Sequence, residues 1–153
     1  MNMIHPILHV EDRQEDVFPL QYAFKRAEIT NPVQVVMDAQ QAIDYLAGAG
    51  QFGNRRQFPL PCTVLLDLKL PHKMGLEVLR WIRQQPSLKR LIVIILSSSS
   101  HEGDIRQAYD LGANAFLVKP SGLDKLTEMC RALKEFWFIH NCPPLPCREE
   151  IGP

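Results

Sequence analysis

Three carboxylates, an ammonium and a hydroxyl each stand directly after a run of apolar residues. Glu11 and Asp12 follow Ile7 to Val10, Asp67 follows Cys62 to Leu66, Ser97 to Ser100 follow Leu91 to Leu96, and Lys119 follows Ala115 to Val118. An acidic pair such as Glu11 and Asp12 also suits a helix N-terminus, where the macrodipole favours anions by about 0.3–1 kcal/mol. Asp67 is harder to explain that way, because a charge that closes a buried run is costly unless something there requires it. Two like charges about 4 Å apart at an effective dielectric near 20 repel by roughly 4 kcal/mol, so three clustered carboxylates need cations. Lys119 supplies one. A hard divalent ion, Mg²⁺ by preference, supplies the rest, since it accepts carboxylates, a backbone carbonyl and waters.

For these groups to meet, the runs that precede them must lie side by side. Ile7 to Val10, Val33 to Met37, Thr63 to Leu66 and Leu91 to Leu96 are rich in Val, Ile and Leu with little polar alternation, as in strands buried on both faces. Ala115 to Val118 forms a fifth strand that ends before Pro120, where a missing donor no longer matters. Between them, Glu15 to Ala27 and Met74 to Gln85 carry apolar stripes of helical period, and Ala39 to Ala47, Glu102 to Leu111 and Leu123 to Phe138 have helical length. Pro19 removes a backbone hydrogen bond from the first of these helices, predicting a kink or an irregular start. Gly112 stands where a helix would stop in the left-handed conformation. Strand and helix alternating five times predict an α/β fold, a doubly wound five-stranded parallel sheet with helices on both faces. In such sheets ligands bind at the carboxyl ends of the strands, the edge that gathers Glu11, Asp12, Asp67, Ser97 and Lys119.

The 153 residues suit one domain, read as 1–138, with a proline-containing tail over 139–153. Seventeen basic residues balance seventeen acidic ones, so there is no global attraction for nucleic acid, and no apolar run is long enough for a membrane span. A cytoplasmic protein is expected. Four cysteines are too few and too unevenly spaced for a disulfide framework, which favours a reducing compartment. The loop over 48–61, with Arg55 and Arg56, reads as a solvated, locally basic surface.

The ordered motifs Val10-Glu11-Asp12, Leu65-Leu66-Asp67-Leu68-Lys69-Leu70-Pro71 with Gly75, Leu96-Ser97-Ser98 and Phe116-Leu117-Val118-Lys119-Pro120 resemble those of a response-regulator receiver domain, over roughly residues 5–138. The resemblance implies a stand-alone, CheY-like regulator of a two-component phosphorelay. On it, Asp67 is the phosphoacceptor; Asp12, Glu11, Asp67 and the backbone carbonyl of Lys69 hold Mg²⁺; and Ser97 and Lys119 bind the phosphoryl oxygens. Phe116 is the aromatic that rotates inward with that change. Lys69 and Ser99 occupy positions that tune the phosphoryl lifetime, and Pro71 and Gly75 form the turn after the acceptor, where glycine relieves a backbone conformation that a Cβ would penalise. Glu11 stands where the family more commonly has Asp. The longer loop, the Asn31-Pro32 entry to the second strand and the extended last helix further resemble single-domain regulators that accompany bacterial phytochrome kinases. The implied partners are a sensor histidine kinase, a phytochrome among the candidates, or a phosphotransfer protein, and a downstream protein target. The implied role is a switch, which assists its own phosphorylation and dephosphorylation but is otherwise not an enzyme.

Rival readings are weaker. No Gly-rich phosphate loop follows a strand, against nucleotide binding. A haloacid-dehalogenase-like phosphatase needs a second aspartate shortly after the first, where Lys69 stands. His140, Cys142 and Cys147 lack the fourth ligand of a structural zinc site. A receiver that acts as a scaffold without phosphate is the alternative from another functional class. The run Phe136 to Ile139 is more apolar than one helical face can hide; either core packing takes part of it, or it forms a patch that another subunit covers, giving a homodimer through the last helix.

Overall fold

The computed structural model describes residues 6–144. Five parallel strands, β1 (Ile7–Val10), β2 (Val33–Val36), β3 (Thr63–Leu66), β4 (Ile92–Ser97) and β5 (Ala115–Val118), form one sheet in the order β2-β1-β3-β4-β5. They alternate with helices α1 (Gln14–Arg26), α2 (Ala39–Ala47), α3 (Gly75–Gln84), α4 (Glu102–Asp110) and α5 (Leu123–Leu133). The doubly wound α/β architecture expected from the alternation is the one observed.

Successive strand residues point to opposite faces, and the core divides accordingly. Leu8, Val10, Val64, Leu66, Val93 and Ile95 pack beneath α2 and α3, while Ile7, Leu65, Ile92, Ile94 and Leu96 pack beneath α1 and α5. The central strands β1, β3 and β4 are buried on both faces, as their composition predicts. The edge strand β2 is only half-buried over three of its four residues, and β5 over its first three. The expectation that the Val33 run is enclosed on both sides is corrected here: an edge strand has one neighbour and less helix above it. Helix α1 runs unbroken through Pro19.

Three details position the ends of the elements. Gly112 follows α4 with φ 100, the left-handed stop that its place in the sequence suggests. The loop over 48–61 is ordered by Arg55, whose guanidinium donates to the carbonyls of Tyr45 at 2.8 Å and Leu46 at 3.0 Å, satisfying the end of α2. Tyr45, Phe52 and Phe58 stack beside it at centroid separations of 5.2–6.0 Å. The solvated-loop reading therefore fails for Arg55 and holds for exposed Arg56. Finally, Arg83 of α3 makes five hydrogen bonds, to the carbonyls of Gly112 (two, at 3.0 and 2.6 Å), Lys89 and Leu91 and to Asn114 Oδ1, tying α3 to the turn between α4 and β5.

The last helix continues as a wider turn over Lys134–His140, closed by the Asn141 amide donating to the Phe136 carbonyl at 2.6 Å. Phe138 is buried, Trp137 half-buried, and Phe136 and Ile139 stay more than half exposed, so core packing takes only part of the apolar run. Cys62 is disulfide-bonded, against the expectation of reduced cysteines, while Cys130 and Cys142 carry free thiols. Spacing along the chain does not reveal which thiols approach in space. Cys147 and the rest of the tail from residue 145 lie outside the described residues. Among the described residues no helix is long and apolar enough to cross a membrane.

Candidate functional site

The register of the sheet sets the strand-end residues next to one another. Val10 pairs with Leu66, Leu66 with Ile95 and Ser97 with Val118, so the chain positions just beyond them are neighbours. The Glu11 amide donates to the Val36 carbonyl at 3.0 Å, the Asp67 amide to Val10 at 3.2 Å, and the Lys119 amide to Ser97 at 2.8 Å. The backbone thus holds each group before any side chain acts.

The Lys119 ammonium is the hub. It donates to Glu11 Oε1 at 2.5 Å, Asp16 Oδ2 at 3.3 Å and Asp67 Oδ2 at 3.4 Å. Burial works against its charge, but the hydrogen bond to Glu11 and the fields of Asp67, Glu11 and Asp16 outweigh that and raise its pKa above the ordinary value. Glu11 is fully buried, and this burial, reinforced by the neighbouring Asp67 carboxylate and opposed by Lys119, pushes its pKa up to about 7. Beneath it, His9 is held neutral: burial first and the Lys119 charge second lower its pKa to about 4.

Glu11, Asp12 and Asp67 each offer a carboxylate oxygen, and these atoms lie within 4.8 Å of one another. Glu11 Oε2 and Asp12 Oδ1 are buried with no hydrogen-bond partner among the described residues. Buried, unpartnered carboxylate oxygens are what a hard cation satisfies, so this donor set fits a divalent metal ion. The extra methylene does not take Glu11 out of the cluster: its Oε1 accepts from Lys119, while Oε2 has no partner among the described residues. Because a metal competes with the proton on Glu11, divalent affinity should rise with pH by up to about tenfold per unit below the Glu11 pKa and level off above it. The metal-free fold carries the opposite dependence. A raised carboxylate pKa gives stability that is complete below the ordinary value of 4.5 and is lost as pH rises through about 7. Mn²⁺ titrations at pH 6 and 8 check the first trend; equal affinities would show that Glu11 is ionised throughout.

The remaining predicted residues surround this hub. Ser97 is buried, and its hydroxyl accepts from the Ser99 amide at 3.1 Å. The Ser99 hydroxyl is itself engaged, donating to Asp104 Oδ2 at 2.8 Å, which ties it to α4. The Lys69 amide donates to Asp67 Oδ1 at 3.4 Å, while its side chain is exposed. Phe116 is half-buried against the α2–α3 side of the core. After Pro71 the chain reverses at His72, with φ 66, and the Lys73 amide reaches the Pro71 carbonyl at 2.7 Å. Gly75 corrects its expected role. Its φ is not among the positive ones; instead a Cβ would strike the Asp67 carbonyl oxygen and stand 2.9 Å from the carbonyl carbon and 3.0 Å from Leu68 Cα. Glycine is required by the close approach of α3 to the backbone of Asp67.

Sequence reasoning missed Asp16, because helical geometry alone carries it from the first turn of α1 to Lys119. It also missed a cavity of about 610 Å³ between α1 and α5, lined by His9, Glu11, Asp16, Leu20, Lys119 and Leu126 among others.

Comparison with known proteins agrees with this geometry. The profile of the response regulator receiver domain matches residues 7–131. Response regulator Rcp1 of Synechocystis sp. is 37% identical over 132 residues, covering 86% of this chain and 88% of Rcp1. The structure of the phosphorylated cyanobacterial phytochrome response regulator RcpA superposes with a TM-score of 0.85 at 35% identity, covering 92% of this chain and 99% of the other. The Mn²⁺-bound form of Rcp1 does so at 0.81 and 34% identity, with the same coverage. A strand-end aspartate among buried carboxylates and a shared lysine, on a β2-β1-β3-β4-β5 sheet matched along nearly its whole length, places this chain in the family of response-regulator receiver domains.

Proposed function

We propose that the chain is a phospho-switch in which Asp67 accepts a phosphoryl group from a phosphohistidine donor. The observation that carries this reading is the side chain of Asp67, buried to 7% exposure yet flanked by Lys119 at 3.4 Å and by the unpartnered oxygens of Glu11 and Asp12. An Asp67 oxygen attacks phosphorus, the P–N bond to the donor imidazole breaks, and the imidazole leaves with its electron pair and takes up a proton. The product is an acyl phosphate. Glu11, Asp12, Asp67 and the Lys69 carbonyl would hold Mg²⁺, which would supply charge neutralisation for the transferring oxygens. Lys119 stays with the new group through its ammonium, and the Ser97 hydroxyl, freed from the Ser99 amide, donates to a second oxygen. Lys69 and Ser99 occupy the positions that tune the phosphoryl lifetime in receiver domains and are assigned that role, while Pro71 and Gly75 fix the loop behind the acceptor. The protein turns over no substrate beyond its own phosphoryl group.

The switch is read by protein contact. Half-buried Phe116, three residues before Lys119 in the chain, can turn inward when Ser97 is drawn to the phosphoryl group, altering the surface of α4, β5 and α5 and biasing a two-state equilibrium. The groove of Leu117, Met129, Leu133, Phe136 and Trp137, next to exposed Val118, suits a second copy of the chain, giving a homodimer through the last helix; sedimentation showing a monomer at micromolar concentration removes this part. We place the protein in the cytoplasm, with a sensor histidine kinase of the phytochrome type as donor. Likeness to a cyanobacterial phytochrome response regulator supports that choice. The test is transfer of labelled phosphate from an autophosphorylated bacterial phytochrome kinase, with Mg²⁺ and with a chelator. Rapid Mg²⁺-dependent transfer is expected. Labelling by acetyl phosphate but not by the kinase would reject the phytochrome partner and leave the phosphoacceptor.

A further inference from the structure

We infer that Asp16 is a positioning residue that rations the Lys119 ammonium between itself and Asp67, and thereby makes the protein discriminate among phosphodonors by their charge. The inference rests on Asp67 being the phosphoacceptor, as proposed above.

Lys119 has three N–H donors and three carboxylate partners. Glu11 is fully buried and takes the shortest contact, so that donor is committed. Asp16 at 3.3 Å and Asp67 at 3.4 Å draw on the remaining donors almost equally. They differ in setting. Asp67 is deep in the sheet edge, whereas the side chain of Asp16 is one-third exposed, on a helical turn fixed by its amide donating to the Arg13 carbonyl at 3.0 Å. Its other cationic neighbour, Arg13, is distant at 3.9 Å and mostly exposed, which leaves the Asp16 charge poorly neutralised from outside. The cavity between α1 and α5 opens beside Lys119 and is lined by Asp16, giving the lysine chain room to lean either way.

A phosphoryl group arriving at Asp67 brings additional negative charge and two demands: it needs the ammonium, and it must approach past the surrounding carboxylates. Asp16 opposes both. It engages one donor of Lys119 at 3.3 Å in competition with Asp67, and its charge repels an anionic donor in proportion to that donor's own charge. Acetyl phosphate is a dianion near neutral pH, while phosphoramidate carries one unit less. In both reactions an Asp67 oxygen forms the new bond to phosphorus; acetate leaves from one as the P–O bond breaks, and ammonia from the other as the P–N bond breaks. A group acting through charge distinguishes these donors, whereas a group that merely braces α1 does not.

The experiment measures initial phosphorylation rates by intact mass for wild type, Asp16→Asn and Asp16→Glu, at saturating Mg²⁺, with each donor. Asn keeps the shape and a hydrogen-bond acceptor for Lys119 but removes the charge. Asp16→Asn is expected to accelerate acetyl phosphate by about three- to tenfold and phosphoramidate by distinctly less, the gap closing at high salt, with Asp16→Glu returning towards wild type. Equal changes with both donors, or none, would overturn the inference while leaving Asp67 as the acceptor. No adduct on the wild type with either donor would reject the phosphoacceptor reading, and this inference with it.

Discussion

Asp67→Asn is expected to abolish the phosphoryl adduct while leaving the fold intact. The wild type, incubated with acetyl phosphate and Mg²⁺, should gain the mass of one phosphoryl group, and the variant none. The physical reason lies in the nucleophile: an amide oxygen carries no charge and cannot form a stable acyl phosphate, whereas its shape fits the carboxylate's place. The site also predicts that the variant is no less stable. Lys119 retains Glu11 and Asp16, and the repulsion between Asp67 and Glu11 disappears. Thermal unfolding of the metal-free variant is therefore expected at or above the wild-type midpoint. An adduct that survives the substitution would move the acceptor to Asp12 or Glu11, the neighbouring carboxylates of the same cluster.

Gly75→Ala has the second-largest effect, and it is mainly structural. The added methyl meets the carbonyl of Asp67 and Leu68 Cα, which are backbone atoms that no rotamer change can move. Either α3 backs away, losing the hydrogen bond from the Gly75 amide to the Leu68 carbonyl at 2.7 Å, or the Asp67 peptide shifts with its carboxylate. Overpacking of this kind costs about 3 kcal/mol, a fall of roughly 6–12 °C in Tm for a domain of this size. Phosphorylation slows as well, because a displaced Asp67 no longer faces the donor and Lys119 together. Gly103→Ala is the contrast: its Cβ meets only the His101 side chain, at 3.4 Å, so little change or a slight gain is expected. A wild-type Tm for Gly75→Ala would show that the entry to α3 yields easily.

How far the sequence reveals this molecule differs from feature to feature. The strands were legible because Ile7–Val10, Thr63–Leu66 and Ile92–Ser97 are buried on both faces and composition records burial directly. Once the strands are parallel, their last residues must share an edge, so Glu11, Asp67 and Lys119 could be brought together without coordinates. What was not legible depends on distances between elements. Asp16 and Lys119 are separated by 103 positions and meet through the packing of α1 over the sheet. Arg55 looked like a solvated charge because its partners are the backbone carbonyls of Tyr45 and Leu46, which leave no mark in residue type. Gly75 is legible in its place and not in its cause: a close backbone approach and a backbone conformation that a Cβ would penalise select the same residue.

The five hydrogen bonds of Arg83 give the molecule a fulcrum. Helix α4 buries only Ala108, so the sheet grips it weakly along its length. Its far end meets the Arg83 anchor at Gly112 and Asn114, and its near end is tethered through Asp104 to Ser99, two residues from Ser97. A rod pinned at one end and pulled at the other tilts and does not slide. A small pull on Ser97 would then be delivered as a swing of the α4 surface, largest near His101 and vanishing towards Gly112, so that the outward reading of the proposed switch would be an angle.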